Sequence, residues 1–337
     1  MKKLTGLLAA GLTLIAGQVM SATLDDVKER GFLNCGVSEG VPGFSNPNAE
    51  GDWKGFDVDF CRAISAAIFK DPTKIKFVPL ASKQKVLAVV TGQVDLTSRT
   101  TTWTMKRDTK EGVDFTSIVF YDGQGFMTRK KNGANSAMDL NGATVCVTSG
   151  TTTELNLEDF ARANGLSFEP VIFEGKKEAV KAYSSGRCDA LTTDASQLAA
   201  FRNTMPDPAE HVIMPEIFSK EPLAPLVKHG DNEWKDLVTW TINGLIEAEE
   251  AGVTQANVAE QKASSQNPTV QRMLGASGEY GEYLGLENDW LFNAISAVGN
   301  YGEIYTRNLG EDSPLNMPRG KNALWTKGGL LYSVPLR

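Results

Sequence analysis

Short apolar runs alternate with longer amphipathic segments along most of the chain. The short runs favour strands, whereas apolar positions at three- and four-residue spacing in the longer segments favour helices. The predicted strands are 32–37, 75–80, 96–98, 144–148, 167–173 and 190–193. The predicted helices are 58–69, 83–92, 154–164, 176–184, 196–203 and 232–250. This order is typical of an α/β protein whose parallel sheets are covered by helices.

The alternation occurs twice, which indicates two similar lobes. The first cycle ends in GQVDL (92–96) and the second in GRCDA (186–190). Two further stretches, 124–131 and 220–228, are predicted to connect the lobes. Two connections would make a hinged pair that can close over a ligand.

These connections divide the chain into four parts. We expect a signal peptide at 1–22, the first part of lobe 1 at 23–127, and lobe 2 at 128–225. Residues 226–337 are expected to return to lobe 1 and to add a C-terminal extension.

The N-terminus has the pattern of an export signal. Two lysines precede the apolar stretch 4–16, and the small residues Ser21 and Ala22 follow it. The stretch is too short to span a bilayer, so we expect a secretory signal that is cleaved near Ser21 or Ala22. The first cysteine, Cys35, lies too far downstream to carry a lipid anchor. The sequence therefore predicts a free periplasmic protein.

Composition narrows the class of partner. The chain has 337 residues, about two domains' worth. Lys and Arg total 34 against 41 Asp and Glu, for a net charge of −7, and no long basic run is present. Nucleic acid is therefore not an expected partner.

Four cysteines in an exported chain predict disulfide bonds. Cys35 lies in a predicted strand and Cys61 in the helix that follows, while Cys146 and Cys188 belong to strands of the second cycle. We expect Cys35 to pair with Cys61 and Cys146 with Cys188; four buried free thiols are the alternative. A zinc site is disfavoured because no Cys-x-x-Cys occurs and both histidines lie far from every cysteine in sequence.

Hydroxyl and guanidinium groups follow the strand at 96–98. Thr100 and Thr102 come directly after it, and Arg107 begins a predicted helix. The carboxyl edge of such a sheet is where open α/β proteins bind ligands. Because the donor fork of Arg matches a carboxylate, Arg107 is a candidate for anion binding; an ordinary solvated arginine is the alternative.

Two more polar groups follow strands of the second cycle. Thr151 and Glu154 fit a capping box, so the N–H groups of a helix start near Thr152 would face a small anion; a plain helix cap is the alternative. No Gly-Lys-Ser or Gly-Lys-Thr follows, so no nucleotide cofactor is expected. Asp194 ends a strand and could bind an ammonium group, or it could cap the helix at 196–203.

Five motifs together resemble the family 3 periplasmic solute-binding proteins of amino-acid ABC transporters. They are GFDVDFCRAIS (55–65), GQVDL to MKR (92–107), VDFTSIVFYDGQGF (113–126), SGTTTEL (149–155) and GRCDALTTD (186–194). The runs VGNYGEIYTRNLG (298–310) and NMPRGKNALWTKGGLLYSVP (316–335) further resemble the general L-amino-acid-binding subgroup. The resemblance implies the type II fold, in which two lobes, each a mixed or parallel sheet flanked by helices, are joined by two crossover hinge strands.

The resemblance also implies roles for the candidate residues. Arg107 would bind the α-carboxylate of an amino acid, with help from Thr102 and Thr152. Asp194 and Thr100 would receive the α-ammonium.

Three positions concern the side-chain pocket. Trp53 matches a position where the family places an apolar or aromatic wall beside the ligand. Val41 replaces an aromatic residue of histidine- and lysine-binding relatives, and Arg99 replaces a small residue before Thr100. A positive charge at Arg99 would favour polar or acidic amino acids; pairing of Arg99 with a surface carboxylate is the alternative.

The implied function is capture of L-amino acids by lobe closure and delivery to an inner-membrane ABC permease, by a monomer without cofactor or metal. A cyclohexadienyl- or arogenate-type dehydratase on the same scaffold is the alternative from another class. It is disfavoured because two histidines and four cysteines predicted to be bridged supply no Ser-His-Asp or Cys-His constellation. A sensor that reports to a membrane receptor would differ only in its partner.

Overall fold

The computed structural model describes residues 22–337, so the predicted signal peptide, apart from Ala22, lies outside the described residues. The strands in this range are β1 (Leu33–Ser38), β2 (Asn46–Pro47), β3 (Trp53–Lys54), β4 (Ile75–Leu80), β5 (Leu96–Thr97), β6 (Val113–Phe115), β7 (Phe120–Asp122), β8 (Gln124–Arg129), β9 (Thr144–Thr148), β10 (Glu169–Phe173), β11 (Ala190–Asp194), β12 (His211–Ile213), β13 (Glu221–Leu223) and β14 (Leu226–Lys228).

Helices cover both faces of the sheets that these strands form. They are α1 (Thr23–Arg30), α2 (Phe56–Phe69), α3 (Lys85–Val90), α4 (Met105–Lys110), α5 (Thr152–Asn164), α6 (Lys176–Ser184), α7 (Ala195–Arg202), α8 (Asn232–Glu250), α9 (Val258–Ser264), α10 (Pro268–Met273), α11 (Trp290–Val298) and α12 (Tyr301–Asn308). Across residues 22–337, no helix has the combination of length and apolar character that crossing a membrane requires.

The strands and helices predicted from the pattern are all present. Their ends lie within about two residues of the predicted ones, which is the usual uncertainty of a helix or strand boundary. The structure adds eight strands that the pattern did not predict, β2, β3, β6, β7, β8, β12, β13 and β14, and four helices in the C-terminal region.

The first sheet has the strand order β4-β1-β5-β14-β6. Strand β1 is parallel to β4 and β5, with Leu33 opposite Ile75, and β14 is antiparallel to β5 and β6. A disulfide between Cys35 and Cys61 joins β1 to α2, which is the predicted pairing.

The second sheet repeats this plan with the order β10-β9-β11-β8-β12. Strand β9 is parallel to β10 and β11, whereas β8 is antiparallel to β11 and β12. The predicted disulfide between Cys146 and Cys188 joins β9 to the segment that leads into β11. The two sheets are therefore mixed, and each has three parallel strands on one side.

The connection between the sheets is a two-stranded antiparallel ribbon of β7 and β13, in which Tyr121 lies opposite Pro222. The chain leaves the first sheet after β6, passes through β7 and enters the second sheet at β8. It returns through β13 to β14. The predicted boundary at residue 127 falls inside β8, so the second sheet begins a few residues earlier in the chain, at Gln124.

The C-terminal region completes the core of the first lobe. Helices α11 and α12 pack against α2, and the side chains of Trp290 and Tyr301 are buried there. The Tyr301 hydroxyl donates to the carbonyl of Val119 at 2.7 Å. The Arg307 guanidinium binds Asp59 in the first turn of α2 at 2.7 Å. The extension is thus part of the first lobe.

Candidate functional site

Residues from both lobes line one small cavity in the cleft between the sheets. Arg99, Thr100 and Thr102 contribute from the first lobe, and Thr152 and Asp194 contribute from the second. The structure therefore brings together five of the seven residues predicted to bind ligand. The cavity between them has a volume of only about 20 Å³, enough for about one water molecule, so the two lobes are closed on each other.

Arg107 lies directly beside this cavity. Its guanidinium is buried and donates from Nη1 to the carbonyl of Thr102 at 2.8 Å. Burial lowers the pKa of Arg107, while the nearby carboxylates of Glu111, Glu221 and Asp194 act in the opposite direction. The solvated alternative for Arg107 is therefore wrong.

Trp53 is not among the cavity-lining residues. It lies in β3 of a short hairpin, where its ring packs against Phe77 at a centroid distance of 6.2 Å. Its carbonyl accepts a hydrogen bond from Arg62 at 2.6 Å. The structure thus places the indole at the edge of the first-lobe core.

The loop after β5 carries the first-lobe residues into the cleft. Thr100 has φ of +49°, a left-handed conformation that is unfavourable for a threonine and is found mainly where surrounding structure enforces it. The side chain of Asp57 lies beneath this loop and accepts from the Ser98 hydroxyl at 3.3 Å. Burial raises the pKa of Asp57 to about 7, although Arg99 partly offsets this rise.

Glu221 in β13 joins the two lobes. Its Oε2 accepts hydrogen bonds from the hydroxyls of Thr102 and Thr152, and the second of these is 2.9 Å long. Its Oε1 accepts from Asn156 at 2.8 Å and from Ser219 at 2.6 Å. This carboxylate was not predicted from the sequence, because the segment 220–228 was interpreted only as a connection between the lobes.

The helix that begins at Thr152 is capped much as predicted. The Thr151 hydroxyl accepts from the Glu154 N–H at 3.2 Å, but the Glu154 carboxylate accepts from the N–H of Gly150 rather than of Thr151. The reciprocal half of the capping box therefore reaches one residue further back. The start of this helix is therefore both capped and part of the cavity wall, because Thr152 faces the cleft.

Asp194 occupies the residue before α7, yet its side chain caps no N–H of that helix. The carboxylate instead accepts a hydrogen bond from Gln197 Nε2 and lines the cavity. Burial raises its pKa to about 8, and the neighbouring Asp122 adds to the rise. The helix-cap alternative for Asp194 is therefore wrong.

Arg99 is 2 % exposed and does not pair with a surface carboxylate. Its Nε has no hydrogen-bond partner within residues 22–337. Burial lowers its pKa to about 10, and the charge of Asp57 opposes this change most strongly. The structure thus favours the interpretation in which Arg99 adds positive charge to the pocket.

Two cavity-lining lysines were missed by the sequence analysis. Lys85 is the first residue of α3, and Lys176 is the first residue of α6. In each helix, apolar residues follow the lysine at three- and four-residue spacing, as in Lys85, Ala88 and Val89. A lysine at the head of an apolar helix face was the signal that could have indicated a buried cation.

Comparison with known proteins agrees with this geometry. The model of the bacterial extracellular solute-binding proteins, family 3, matches residues 33–256. This chain belongs to that family. It is 52% identical over 331 residues to the general L-amino acid-binding periplasmic protein AapJ of Rhizobium johnstonii, with 98% of this chain and 97% of the relative covered.

Two further relatives are similar over most of their length. The glutamate/glutamine/aspartate/asparagine-binding protein BztA of Rhodobacter capsulatus is 49% identical over 324 residues, which are 96% of each chain. A solved ABC transporter periplasmic binding protein from Brucella ovis, with glutathione bound, is 54% identical and superimposes with a TM-score of 0.92 over 94% of this chain and 100% of that one. The two-lobed type II fold predicted for this chain is confirmed.

Proposed function

We propose that this chain is the periplasmic substrate-binding component of an ABC transporter, and that it captures L-amino acids between its lobes for delivery to a permease in the inner membrane. The family and the relatives support this assignment. The observation that carries it is the arrangement of opposite charges in one cleft, with Arg107 on the first lobe and Asp194 on the second.

A free amino acid is dipolar, so its burial is tolerable only if both charged ends meet fixed partners. We assign the α-ammonium to Asp194 and Thr100, and the α-carboxylate to Arg107 with Thr102 and Thr152. The N–H of Thr152 is suited to this role because it lies at a helix start, where backbone N–H groups have no partner in the helix.

Closure supplies both partners at once. The two ends of a small ligand would contact opposite lobes, so the ligand stabilises the closed form through contacts that the open form lacks. A permease can then distinguish loaded from empty protein by the relative position of the lobes. We further propose that the mature chain is a monomer, free in the periplasm, that binds its ligand without chemical turnover.

The absence of histidine from the cleft supports binding rather than catalysis. His211 Nδ1 lies 2.7 Å from the Tyr183 hydroxyl, and His229 Nδ1 lies 3.0 Å from Asp114; neither residue lines the cavity. Conversion of arogenate or prephenate by the purified protein would contradict this part of the proposal.

The amino-acid assignment is tested by calorimetric titration of residues 23–337 with the twenty amino acids, beside a thermal-shift screen. A ligand at about 100 times its dissociation constant should stabilise the folded protein by about 2.7 kcal/mol. Arg107→Ala should weaken binding by about 2 to 5 kcal/mol, because the ligand carboxylate would be desolvated without its partner.

Arg162→Ala is the matched control, since that arginine is 78% exposed on α5 and should leave affinity unchanged. Equal affinities of Arg107→Ala and the unaltered protein would remove Arg107 from the site. Failure of every amino acid to bind would overturn the proposed function itself.

A further inference from the structure

The cavity carries more positive charge than a simple amino acid needs. Its charged lining side chains are Lys85, Arg99 and Lys176 against the single carboxylate of Asp194. In the assignment above, Asp194 binds the ligand ammonium, and the α-carboxylate goes to Arg107, which lies beside the lining. Three cations that face the cavity are then left without a ligand charge. Asp57 acts on Arg99 and Lys176 from outside the lining, and Asp122 also acts on Lys176.

Lys85 lacks a protein partner. It is 4% exposed, and its ammonium makes no hydrogen bond or ion pair with any residue that the structure describes. Burial and the charges of Arg107, Arg99 and Lys176 lower its pKa well below the usual range, and Asp194 acts against them. A cation that is buried among cations is costly unless an anion joins it.

Helix stability does not explain this position either. Lys85 stands at the first residue of α3, where the positive end of the helix dipole disfavours a cation. Lys176 occupies the equivalent place in the second lobe, at the start of α6, and its ammonium donates to Gln197 and to the Thr100 hydroxyl across the cleft. The repeated cycle thus brings two ammonium groups to one cavity from opposite lobes.

We infer that Lys85, together with Arg99 and Lys176, forms a second anion subsite that binds the distal carboxylate of a dicarboxylic amino acid, and that Lys85 determines the preference for acid over amide. This inference rests on the proposed function, since it requires the ligand's ammonium to lie at Asp194. Lys85 and Arg99 then act from the first lobe and Lys176 from the second, so the distal carboxylate is held across the closing seam.

L-glutamate and L-glutamine form a matched pair of probes, because they differ only in a carboxylate against an amide. Calorimetric titration of residues 23–337 should give an affinity for glutamate about tenfold or more above that for glutamine. Lys85→Met should lower glutamate affinity about 30-fold or more and glutamine affinity by less than about threefold. Lys70→Met, a control at a lysine that is 48% exposed and paired with Glu287 within the first lobe, should leave both unchanged.

Two further readouts separate this subsite from a structural role. Lys85→Met without ligand should melt at or above the temperature of the unaltered protein, because it removes an unpaired buried cation. An arriving carboxylate should raise the pKa of Lys85, so glutamate binding should take up more protons than glutamine binding. Titrations in buffers with different ionisation enthalpies measure this difference. Lys176→Met provides a second variant with the same expected loss of acid preference.

The outcomes are distinguishable. If the unaltered protein binds glutamate and glutamine equally, the subsite is wrong and the proposed function stands. If Lys85→Met weakens both ligands equally, Lys85 serves the α-carboxylate and the subsite is again wrong. If no amino acid binds the unaltered protein, the subsite and the proposed function fail together.

Discussion

The two lobes have the same arrangement of strands but differ in the size of their hydrophobic cores. Each has three adjacent parallel strands, one strand that is antiparallel to both of its neighbours, a disulfide and a lysine at the start of the helix after its edge strand. The first lobe has a large continuous core that includes the C-terminal helices, whereas the second has smaller cores around Phe126 and around Met127. The shared features are those that build the cleft, and the extra core lies away from it.

This difference indicates that the extension supports the first lobe rather than the ligand. Arg319 in the extension binds Glu249 of α8 through two nitrogens at 3.1 and 3.0 Å, and its guanidinium lies over the rings of Tyr301 and Tyr305. None of these residues lines the cavity between the lobes.

Truncation of a large side chain in the extension should give the largest effect. Trp290 is 1% exposed at the start of α11, so Trp290→Ala should lower the free energy of unfolding by about 3 to 5 kcal/mol. Urea unfolding measures this change. Trp325→Ala, at an indole that is 50% exposed, should cost less than about 1 kcal/mol. Similar costs for the two variants would mean that the extension is not part of the lobe core.

Removal of each disulfide should destabilise its lobe by a different amount. The bonds close loops of 42 residues in the second lobe and 26 in the first. The chain-entropy relation gives a loss of about 4 kcal/mol for Cys146→Ser with Cys188→Ser, and about 3.5 kcal/mol for Cys35→Ser with Cys61→Ser.

Differential scanning calorimetry should then show two transitions in the second-lobe variant, because its smaller core would melt first. The first-lobe variant should keep a single transition at a lower temperature. If only the first-lobe variant showed two transitions, the first lobe would be the less stable of the two, contrary to this prediction.

The buried carboxyl beneath the first-lobe loop should make stability depend on pH. Burial raises the pKa of Asp57 from 3.8 to about 7, so the native state retains a proton that the unfolded state releases between these values. The free energy of unfolding should therefore fall as pH rises through this interval, by about 3 kcal/mol between about pH 5 and pH 8 for this group.

Asp57→Asn should remove that part of the pH dependence, as measured by urea unfolding at the two pH values. Asp159→Asn, at a carboxylate that is 66% exposed in the second lobe, should leave it unchanged. Identical pH profiles for Asp57→Asn and the unaltered protein would show that Asp57 titrates alike in both states.

Periodicity predicted the main helices and six of the ten strands in the two large sheets, but not β6, β8, β12 and β14. The segments of β8 and β14 were interpreted only as connections between the lobes. The strands of the connecting ribbon have only three residues each, too few to show a period. Helix α11 was missed because WLFNAISAV is apolar on most sides, as expected of a segment that packs between helices.

The candidate site was predictable where residues follow strands, as Thr100, Thr152 and Asp194 do. Lys85 was missed, although it stands at the head of an apolar helix face, because a lysine in an amphipathic pattern is ordinarily assigned to the solvated face of the helix. Glu221 was missed for a different reason: its partners come from both lobes, and only the folded chain brings them within reach.

The hydroxyls of Thr102 and Thr152 come from opposite lobes and both donate to Glu221, so hydrogen bonds within the chain itself stabilise the closed conformation. Protein without ligand would accordingly also adopt the closed conformation of the protein with ligand. A permease that recognised only the closed conformation would then bind many copies without ligand. Transport must therefore also depend on the lifetime of the closed conformation.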